Sequence, residues 1–455
     1  MRVSPARIVA HEVLGAVRDD EAYANLLLPN RIERSKLSEA DAALATELTY
    51  GTLRLSGYYD AVIEIAANRS VAQIDPAVLD ILRLGAHQLL ATRVPTHAAV
   101  HEQVVIAHRV APQAAGFVNA VLRTLSRTDA DEWKTRVAAR AKTEDARLAA
   151  VHSHPEWIVR ALRAALDRDE RAGELEALLA ADNVSPRVNL AVLPGLGDET
   201  PADLGTPNTY SPLGFTAERP IALVGAHEGR VRVQDEGSQL AALALTRAKP
   251  VEPGERWLDL CAGPGGKTAI LATEALAGDA VLVANELVPA RTELVRRAIA
   301  GVPLDVPVRT GDGRDLEIAA LGSPDGFDRI LLDAPCTGLG ALRRRPEARW
   351  RKQPTDVPAL SLLQGELVDA ALRALRPGGL LGYVTCSPHT AETHGTIAAA
   401  RKRWGDRIES VDTRAVIEAV AEHPIDVRGD GSTVQLWPHA HGTDAMFIAL
   451  LRKTS

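Results

Sequence analysis

From about Asp235 onward, short apolar runs alternate with helical patterns, and this alternation constrains the fold more than any other feature of the chain. Five runs predict strands: RWLDLC, AVLVANEL, VPVRTGD, RILLDAPC and LLGYVTCS. Three helical patterns fall between them: KTAILATEAL, ARTELVRRAIA and ALSLLQGELVDAALRAL. Such alternation is typical of a doubly wound, largely parallel sheet. Two last runs, TVQLWP and DAMFIALLRK, predict an antiparallel hairpin joined by the turn HAHGT. We therefore expect an α/β, Rossmann-like fold for this region.

The preceding part of the chain has a different rhythm. From Pro5 to about Arg127, apolar residues recur at helical spacing, and Ser38 and Asp75 are typical helix starts. This pattern predicts a compact all-helical domain. A charged, helix-prone stretch follows to about Asp182. Beyond it, PRVNLAVLPG, RPIALVG and GRVRVQD predict short strands in a region rich in proline and glycine.

All three cysteines of the chain lie at or just beyond the end of a predicted strand: Cys261, Cys336 and Cys386. In open α/β sheets, ligands bind beyond the carboxyl ends of the strands. Two such thiols, one after Asp-Ala-Pro and one after Val-Thr, indicate covalent chemistry on one substrate. A phosphatase-type thiol loop is excluded because it needs arginine six residues on, where this chain has Leu342 and Glu392.

A glycine-rich turn, 263–268 (GPGGKT), follows the first predicted strand and opens a helix. Glycine allows close approach of a ligand, and the helix start offers unpaired N–H groups. A Walker A loop is excluded, since its first glycine would fall at Cys261. A Rossmann-like turn fits better, because Glu286 ends the second strand twenty residues after Gly266 and can bind ribose hydroxyls. Asp312, at the end of the third strand, is a candidate for the adenine edge.

Composition limits the partners and the location. The chain has 455 residues, 46% apolar and 24% charged, with a net charge of −7. Such a chain has enough apolar residues for a sizeable core but no global basic field, so any nucleic-acid contact must come from local patches. We see neither a signal-peptide pattern nor a membrane-spanning run, and we expect a cytoplasmic protein without a membrane partner.

No metal site is expected. The three cysteines contain no CxxC pair. The histidine pairs His152/His154 and His439/His441 have no acid or cysteine partners at suitable spacing, so we interpret them as turns. Asp235, ahead of QLAALAL, is interpreted as a helix N-cap.

Taken together, the motifs identify a family. DLCAGPGGKT, Glu286, GDGRD, DAPCTGLGALRRRPEARW and YVTCSPHTAET, in this order, resemble the Fmu/Sun (RsmB-like) RNA cytosine-5 methyltransferases, a likeness that covers about 230–453. The helical region, with VPTHAAVHEQVVIAHR and GFVNAVLR, is similar to the NusB-type RNA-binding domain. The resemblance implies a Rossmann-like S-adenosylmethionine-dependent methyltransferase fold preceded by an all-α NusB-like domain. We expect domains at 1–130 (NusB-like), 131–234 (helical linker and small α+β RNA-binding subdomain) and 235–455 (catalytic).

The resemblance also implies roles for the site residues. Carbon 5 of cytosine is a weak nucleophile until a thiolate adds at carbon 6, and Cys386 is implied as that thiolate. Cys336 is implied to assist product release, and Asp333 to hold the pyrimidine N3 edge with Lys267 nearby. The cofactor contacts carried over are Cys261, Ala262, Gly263, Pro264, Gly265, Gly266, Lys267, Glu286, Asp312 and Asp333. Gly263 stands where the family more often has alanine, and Asp444-Ala-Met-Phe447 where it more often has Asp-Gly-Phe-Phe.

Two thiols on neighbouring strand ends favour RNA over DNA as substrate, because the DNA enzymes use only a Pro-Cys thiol. We expect small-subunit rRNA as the partner and favour a monomer. The alternatives are the same chemistry on tRNA, and a non-catalytic RNA-binding or antitermination-like factor. The run RRRPEARWRK follows the Pro-Cys motif, and its cations and indole can pair with phosphates and stack on bases. The expected RNA contacts are Arg343, Arg344, Arg345, Arg349 and Trp350.

Overall fold

The structure, a computed structural model, describes residues 3–196, 204–227 and 229–455. The chain forms two compact units. The first, the helical unit, comprises Met1–Ala161, Leu175–Ser185 and Leu342–Lys352. The second, the α/β unit, comprises Leu162–Glu174, Pro186–Ala341 and Gln353–Ser455.

The helices are, in chain order, α1 Pro5–Asp19, α2 Ala24–Arg34, α3 Glu39–Arg54, α4 Ser56–Ala67, α5 Pro76–Ala91, α6 Thr96–Val110, α7 Ala115–Leu125, α8 Ala130–Ala138, α9 Glu144–Val151, α10 Glu156–Arg168, α11 Leu175–Ala181, α12 Pro220–Ala226, α13 Glu236–Arg247, α14 Gly266–Ala277, α15 Pro289–Ile299, α16 Ala348–Arg351, α17 Asp356–Ala374, α18 His394–Trp404, α19 Thr413–Val420 and α20 Pro438–His441. The strands are β1 Asn189–Val192, β2 Thr206–Pro207, β3 Gly214–Thr216, β4 Val231–Val233, β5 Arg256–Asp259, β6 Val281–Glu286, β7 Val308–Thr310, β8 Phe327–Asp333, β9 Leu375–Thr385, β10 Ile408–Ser410, β11 Thr433–Gln435 and β12 Phe447–Lys453.

The helical unit follows the predicted pattern, with α1–α7 filling the region from Pro5 to Leu125. Both predicted helix starts are confirmed. Ser38 Oγ accepts the Asp41 N–H at 3.2 Å, and Asp75 Oδ1 accepts the Ala77 N–H at 2.9 Å. Each cap satisfies an N–H that the first helical turn leaves free. The apolar faces of the helices meet in two cores, one under α1–α3 and one under α4–α8.

The α/β unit is built on an eight-stranded sheet, counted over the described residues. Its order is β10-β12-β9-β8-β5-β6-β7, with β11 paired to β12. Strands β5–β9 are parallel, whereas β12 runs antiparallel to β9, β10 and β11. Along β8, Ile330 and Leu332 face the core under α17 and α18, while Leu331 faces the core under α13–α15 and α19. Helices on both faces of a mostly parallel sheet confirm the predicted α/β, Rossmann-like class.

A second, four-stranded antiparallel sheet has the order β2-β3-β1-β4. PRVNLAVLPG and GRVRVQD supply β1 and β4 as predicted, but the strand predicted for RPIALVG is wrong. That segment forms α12, with Pro220 in its first turn. Proline lacks the N–H that a ladder needs and its fixed φ suits the first turn of a helix.

The predicted terminal hairpin is confirmed, with Val434 opposite Ile448 in the antiparallel β11–β12 pair. Its connection is not a simple turn, because α20 again begins at a proline, Pro438. Within the described residues, no helix combines the length and apolar character needed to cross a membrane.

The turn between β5 and α14 depends on glycine at one position. Gly265 caps α14 with φ +101°, a left-handed conformation that side chains disfavour. A Cβ atom there would lie 2.5 Å from Ala298 Cβ and 2.9 Å from Val295 Cα, both on α15. The turn can therefore keep its path against α15 only with glycine at position 265.

Replacing Gly265 by alanine should destabilise the α/β unit by about 2 kcal/mol or more, through backbone strain and the collision with α15. Gly266→Ala is the matched control, since its Cβ would meet only Gln234 side-chain atoms at 3.5–3.7 Å. It should change stability by no more than about 1 kcal/mol. Thermal unfolding followed by calorimetry compares the two, and equal melting temperatures would contradict the assignment.

Candidate active site

The candidate residues meet because parallel strands end at one edge of the sheet. Cys261 follows β5, Glu286 ends β6, Asp333 ends β8 and Cys386 follows β9. In the β8–β9 ladder Asp333 lies opposite Val384, so the loops after these two strands start at nearly the same level. Residues far apart in sequence are therefore brought to a common edge.

The two thiols after β8 and β9 lie side by side. Cys336 Sγ and Cys386 Sγ are 3.6 Å apart, and both side chains are half-buried. A hydrogen bond from the Cys336 S–H lowers the pKa of Cys386 against the opposing effect of burial, with Lys267 adding to the lowering. The same contact and burial raise the pKa of Cys336 well above its usual value. Cys386 is thus the thiol that ionises first, with Cys336 as its proton-bearing neighbour.

Lys267 connects the glycine turn to the thiols. It occupies the first turn of α14, and its Nζ donates to Asp333 Oδ2 at 2.8 Å. Burial alone would lower the pKa of Lys267, but the Asp333 carboxylate offsets this and the pKa is raised. The ammonium is therefore charged at neutral pH and lies close enough to affect Cys386.

The turn around Gly263 is locked to Glu286. Glu286 is only 3% exposed, and its two oxygens accept the N–H groups of Gly263 at 2.9 Å and Val288 at 3.0 Å. A Cβ at position 263 would lie 2.4 Å from Glu286 Oε2, so this glycine lets the carboxylate approach the turn. Arg291 also donates to the Gly263 carbonyl. These hydrogen bonds therefore fix the conformation of the turn around Gly263.

Asp312 and Cys261 complete the set predicted around the cofactor. Asp312 lies just beyond β7, and both its oxygens form an ion pair with Arg314, the shortest contact being 2.6 Å. Cys261 has a raised pKa, because burial and the nearby carboxylates Asp259 and Asp333 disfavour the thiolate. Cys261 is therefore not suited to act as a nucleophile.

Two buried carboxylates of this site were missed by the sequence reasoning. Asp259 accepts the Thr268 hydroxyl at 2.7 Å, and burial raises the pKa of Asp259 to about 7. Glu392 is fully buried behind the thiols and bonds to residues that follow both of them. Asp259 follows two apolar residues in β5, and Glu392 lies in a loop. Neither position carries a spacing signal that would have distinguished it.

The cationic run after the Pro-Cys motif is exposed at some positions and buried at others. Leu342–Lys352 belongs to the helical unit, and Arg349 is fully buried there. Its guanidinium donates to the carbonyls of Arg54, Ser153 and Asp182 and to Asn183 Oδ1, at 2.8–3.3 Å. These hydrogen bonds leave Arg349 without access to RNA, so the expectation of an RNA contact there is wrong.

Arg343 is also buried, and this burial contradicts the RNA contact expected for its guanidinium. Arg344 and Arg345 are exposed, and Trp350 is 39% exposed while lying against Gly57. The physical reason for the burial of Arg349 is position: its guanidinium satisfies main-chain carbonyls that would otherwise lack donors.

One histidine of each pair contacts a carboxylate, and the turn predicted for His439 and His441 is wrong, because both lie in α20. His152 Nε2 lies 3.2 Å from Glu176, and His439 Nε2 lies 2.8 Å from Glu174. Within the described ranges, histidine, cysteine and acidic side chains do not gather in a group of three or more suited to a metal ion. The predicted cap at Asp235 is confirmed by its acceptance of the Gly237 N–H at 3.0 Å.

Comparison with protein families finds two matches. The model described as 16S rRNA methyltransferase RsmB/F matches residues 246–452, and the NusB family model matches residues 4–127. The second match agrees with the predicted NusB-like character of the helical region.

Individual relatives match over nearly the whole chain. A Mycobacterium tuberculosis (strain H37Rv) protein described as "Putative methyltransferase" is 49% identical, covering 99% of this chain and 97% of its own. The ribosomal RNA small subunit methyltransferase B of Pseudomonas putida is 36% identical, covering 86% of this chain and 88% of its own. The crystal structure of PH0851 has a TM-score of 0.76 at 22% identity, with full coverage of both chains, and so shares the fold.

Removing the Arg349 side chain should destabilise the helical unit strongly. Arg349→Ala leaves buried carbonyls without donors and opens a cavity, at a cost of about 3 kcal/mol or more. Arg345→Ala is the control, since Arg345 is exposed and contacts the Tyr23 ring at 6.0 Å. Its cost should be at most about 1 kcal/mol. Urea unfolding followed by circular dichroism measures both, and equal effects would argue against Arg349 as an anchor.

The thiol contact predicts a pH effect. Since the hydrogen bond from Cys336 lowers the pKa of Cys386, Cys336→Ala should raise that pKa and slow alkylation of Cys386 at neutral pH. Rates of iodoacetamide labelling are measured across pH by peptide mass spectrometry, and they give the pH midpoint of Cys386 alkylation. Cys261→Ser should leave it unchanged. An unchanged midpoint in Cys336→Ala would show that the thiols do not share a proton.

Proposed function

Because the chain belongs to the RsmB/F family of 16S rRNA methyltransferases, we propose that it methylates carbon 5 of a cytidine in small-subunit rRNA. The methyl donor is S-adenosylmethionine, and the reaction passes through a covalent cysteine–pyrimidine adduct. One observation carries the proposal: Cys336 and Cys386 have sulfurs 3.6 Å apart, beside the Lys267–Asp333 ion pair. One pyrimidine ring can reach both thiols and that pair.

The residues present fit this cofactor. Bound S-adenosylmethionine supplies an electrophilic methyl group on a sulfonium. Glu286 is held with one backbone N–H on each oxygen, and a carboxylate has lone pairs left to accept two ribose hydroxyls. The turn at Gly265 passes too close to α15 for a side chain, and the following helix start offers N–H groups. Asp312, at the neighbouring strand end, is suited to the adenine edge.

Cys386 is the nucleophile in this proposal, since its pKa is the lowered one of the pair. Its thiolate forms a bond to carbon 6, the carbon 5–carbon 6 double bond opens, and carbon 5 gains the electron pair that takes the methyl group. Removal of the carbon 5 proton then restores the double bond as the sulfur leaves. Cys336, whose sulfur lies 3.6 Å from that of Cys386, is placed beside the adduct to assist this elimination.

Asp333 and Lys267 act on the opposite edge of the ring. Asp333 remains partly exposed, so it can hold the pyrimidine N3 edge while paired with Lys267. The raised pKa of Lys267 keeps a positive charge there. That charge stabilises electron density that moves onto the ring as the thiolate adds.

The RNA contacts proposed here are those cations and rings that solvent can reach: Arg344, Arg345 and Trp350. Guanidiniums pair with phosphates and an indole stacks on bases. The target base must leave its stack before a ring carbon can react, so we propose single-stranded or locally opened rRNA as substrate.

Purified protein, labelled S-adenosylmethionine and unmodified rRNA test the activity, with bisulfite sequencing to locate the product. Label in small-subunit rRNA as 5-methylcytosine is expected. Label only in tRNA would replace the substrate by the tRNA alternative. Cofactor binding without transfer to any RNA would favour a non-catalytic RNA-binding or antitermination-like factor.

Replacing Cys336 and replacing Cys386 by alanine should block the reaction at different steps. Cys336→Ala should accumulate a protein–RNA adduct, because methyl transfer proceeds and release is blocked. Cys386→Ala should neither methylate nor crosslink, because no adduct can form. Denaturing gels of RNA-bound protein separate the two outcomes, and the reverse pattern would exchange the two roles.

A further inference from the structure

A buried carboxylate joins the loops that carry the two thiols. Glu392 is fully buried, and its Oε1 accepts the Thr337 N–H at 2.7 Å and a Gln364 amide N–H at 3.3 Å. Its Oε2 accepts the hydroxyls of Thr337 at 2.5 Å and Ser387 at 2.6 Å. Thr337 directly follows Cys336 and Ser387 directly follows Cys386. One side chain therefore bonds to both loops.

The surrounding contacts fix Glu392 itself. Its carbonyl accepts the Tyr383 hydroxyl at 2.6 Å, from within β9. Gln364, on α17, gives its second amide bond to the carbonyl of Pro335 at 2.8 Å, just ahead of Cys336. Charge-assisted hydrogen bonds to a carboxylate are stronger than neutral ones, and burial strengthens them further. The network thus behaves as a rigid clamp behind the thiols.

We propose that Glu392 is a positioning residue that sets the separation and orientation of Cys336 and Cys386. The loop after β8 and the loop after β9 have a direct link at the main chain, where Gly340 N donates to the Cys386 carbonyl at 2.9 Å. That link leaves the side-chain directions of the two cysteines free. The carboxylate constrains the residue next to each thiol, which restricts the positions of both sulfurs.

The inference rests on the proposed function for its biological meaning, because positioned thiols matter only if both act on one ring. Its physical content is independent of RNA. Thiol proximity can be measured by disulfide formation: diamide takes two electrons and two protons from Cys336 and Cys386, is reduced to its hydrazine, and leaves one S–S bond. The rate depends on how often the sulfurs meet in the right geometry.

Glu392→Ala and Glu392→Gln are compared with the wild-type chain. We expect the alanine variant to form the Cys336–Cys386 disulfide about tenfold more slowly, the effect of losing one charge-assisted hydrogen bond. The glutamine variant, which keeps one acceptor oxygen, should fall between the two. The pH midpoint of Cys386 alkylation should rise in the same order, because the sulfur–sulfur hydrogen bond weakens. Peptide mass spectrometry reads both quantities.

Val231→Ala is the matched control, since it opens a cavity in the small core of the four-stranded sheet, separate from the core against which Cys386 packs. It should lower the melting temperature while leaving the disulfide rate and the alkylation midpoint unchanged. If Glu392→Ala does not fold, Ser387→Ala removes one arm of the clamp and should slow disulfide formation about threefold. Wild-type rates and midpoints in folded Glu392 variants would overturn the proposal. Loss of thiol positioning with no methylation of any RNA by the wild type would instead remove the proposed function and leave Glu392 as a clamp.

Discussion

The parallel register of β5, β8 and β9 is the constraint on which the rest of the site depends. Asp259 lies opposite Leu331 in one pair, and Asp333 lies opposite Val384 in the next. The strands therefore end nearly level, and the loops that follow them share one edge of the sheet. A slip of one residue would turn every side chain of a strand to the opposite face, which two buried cores forbid. Hydrophobic burial along the strands thus fixes the chemistry at their ends.

Two carboxylates at this edge are satisfied in different ways, and the difference suits their positions. Asp333 is partly exposed and paired with the ammonium of Lys267, so it presents a charged pair to the solvent side. Glu392 is fully buried, and hydroxyl, amide and main-chain donors surround its carboxylate. A carboxylate held by several donors stays in place and directs little charge outward. Asp333 is therefore suited to act on a ligand, and Glu392 is suited to hold the two loops that carry the thiols.

The sequence allowed prediction of what depends on local pattern and spacing. Apolar periodicity gave the order of helices and strands, and the twenty-residue interval from Gly266 to Glu286 identified the glycine turn. Exposure and long-range hydrogen bonding have no such pattern. RPIALVG reads as a strand until Pro220 is considered as a helix start. Arg349 and Arg344 have the same local composition, yet one is buried against main-chain carbonyls and the other is exposed.

The chain leaves the α/β unit after Ala341 and returns at Gln353, and the intervening eleven residues belong to the helical unit by their contacts. A gene fragment coding for residues 235–455 would keep this insertion but lose Arg54, Ser153 and Asn183, which accept the hydrogen bonds of Arg349. The fragment would then carry the Arg349 guanidinium without these acceptors. Residues 342–352 therefore lie inside the α/β unit by position along the chain but belong to the helical unit by their contacts.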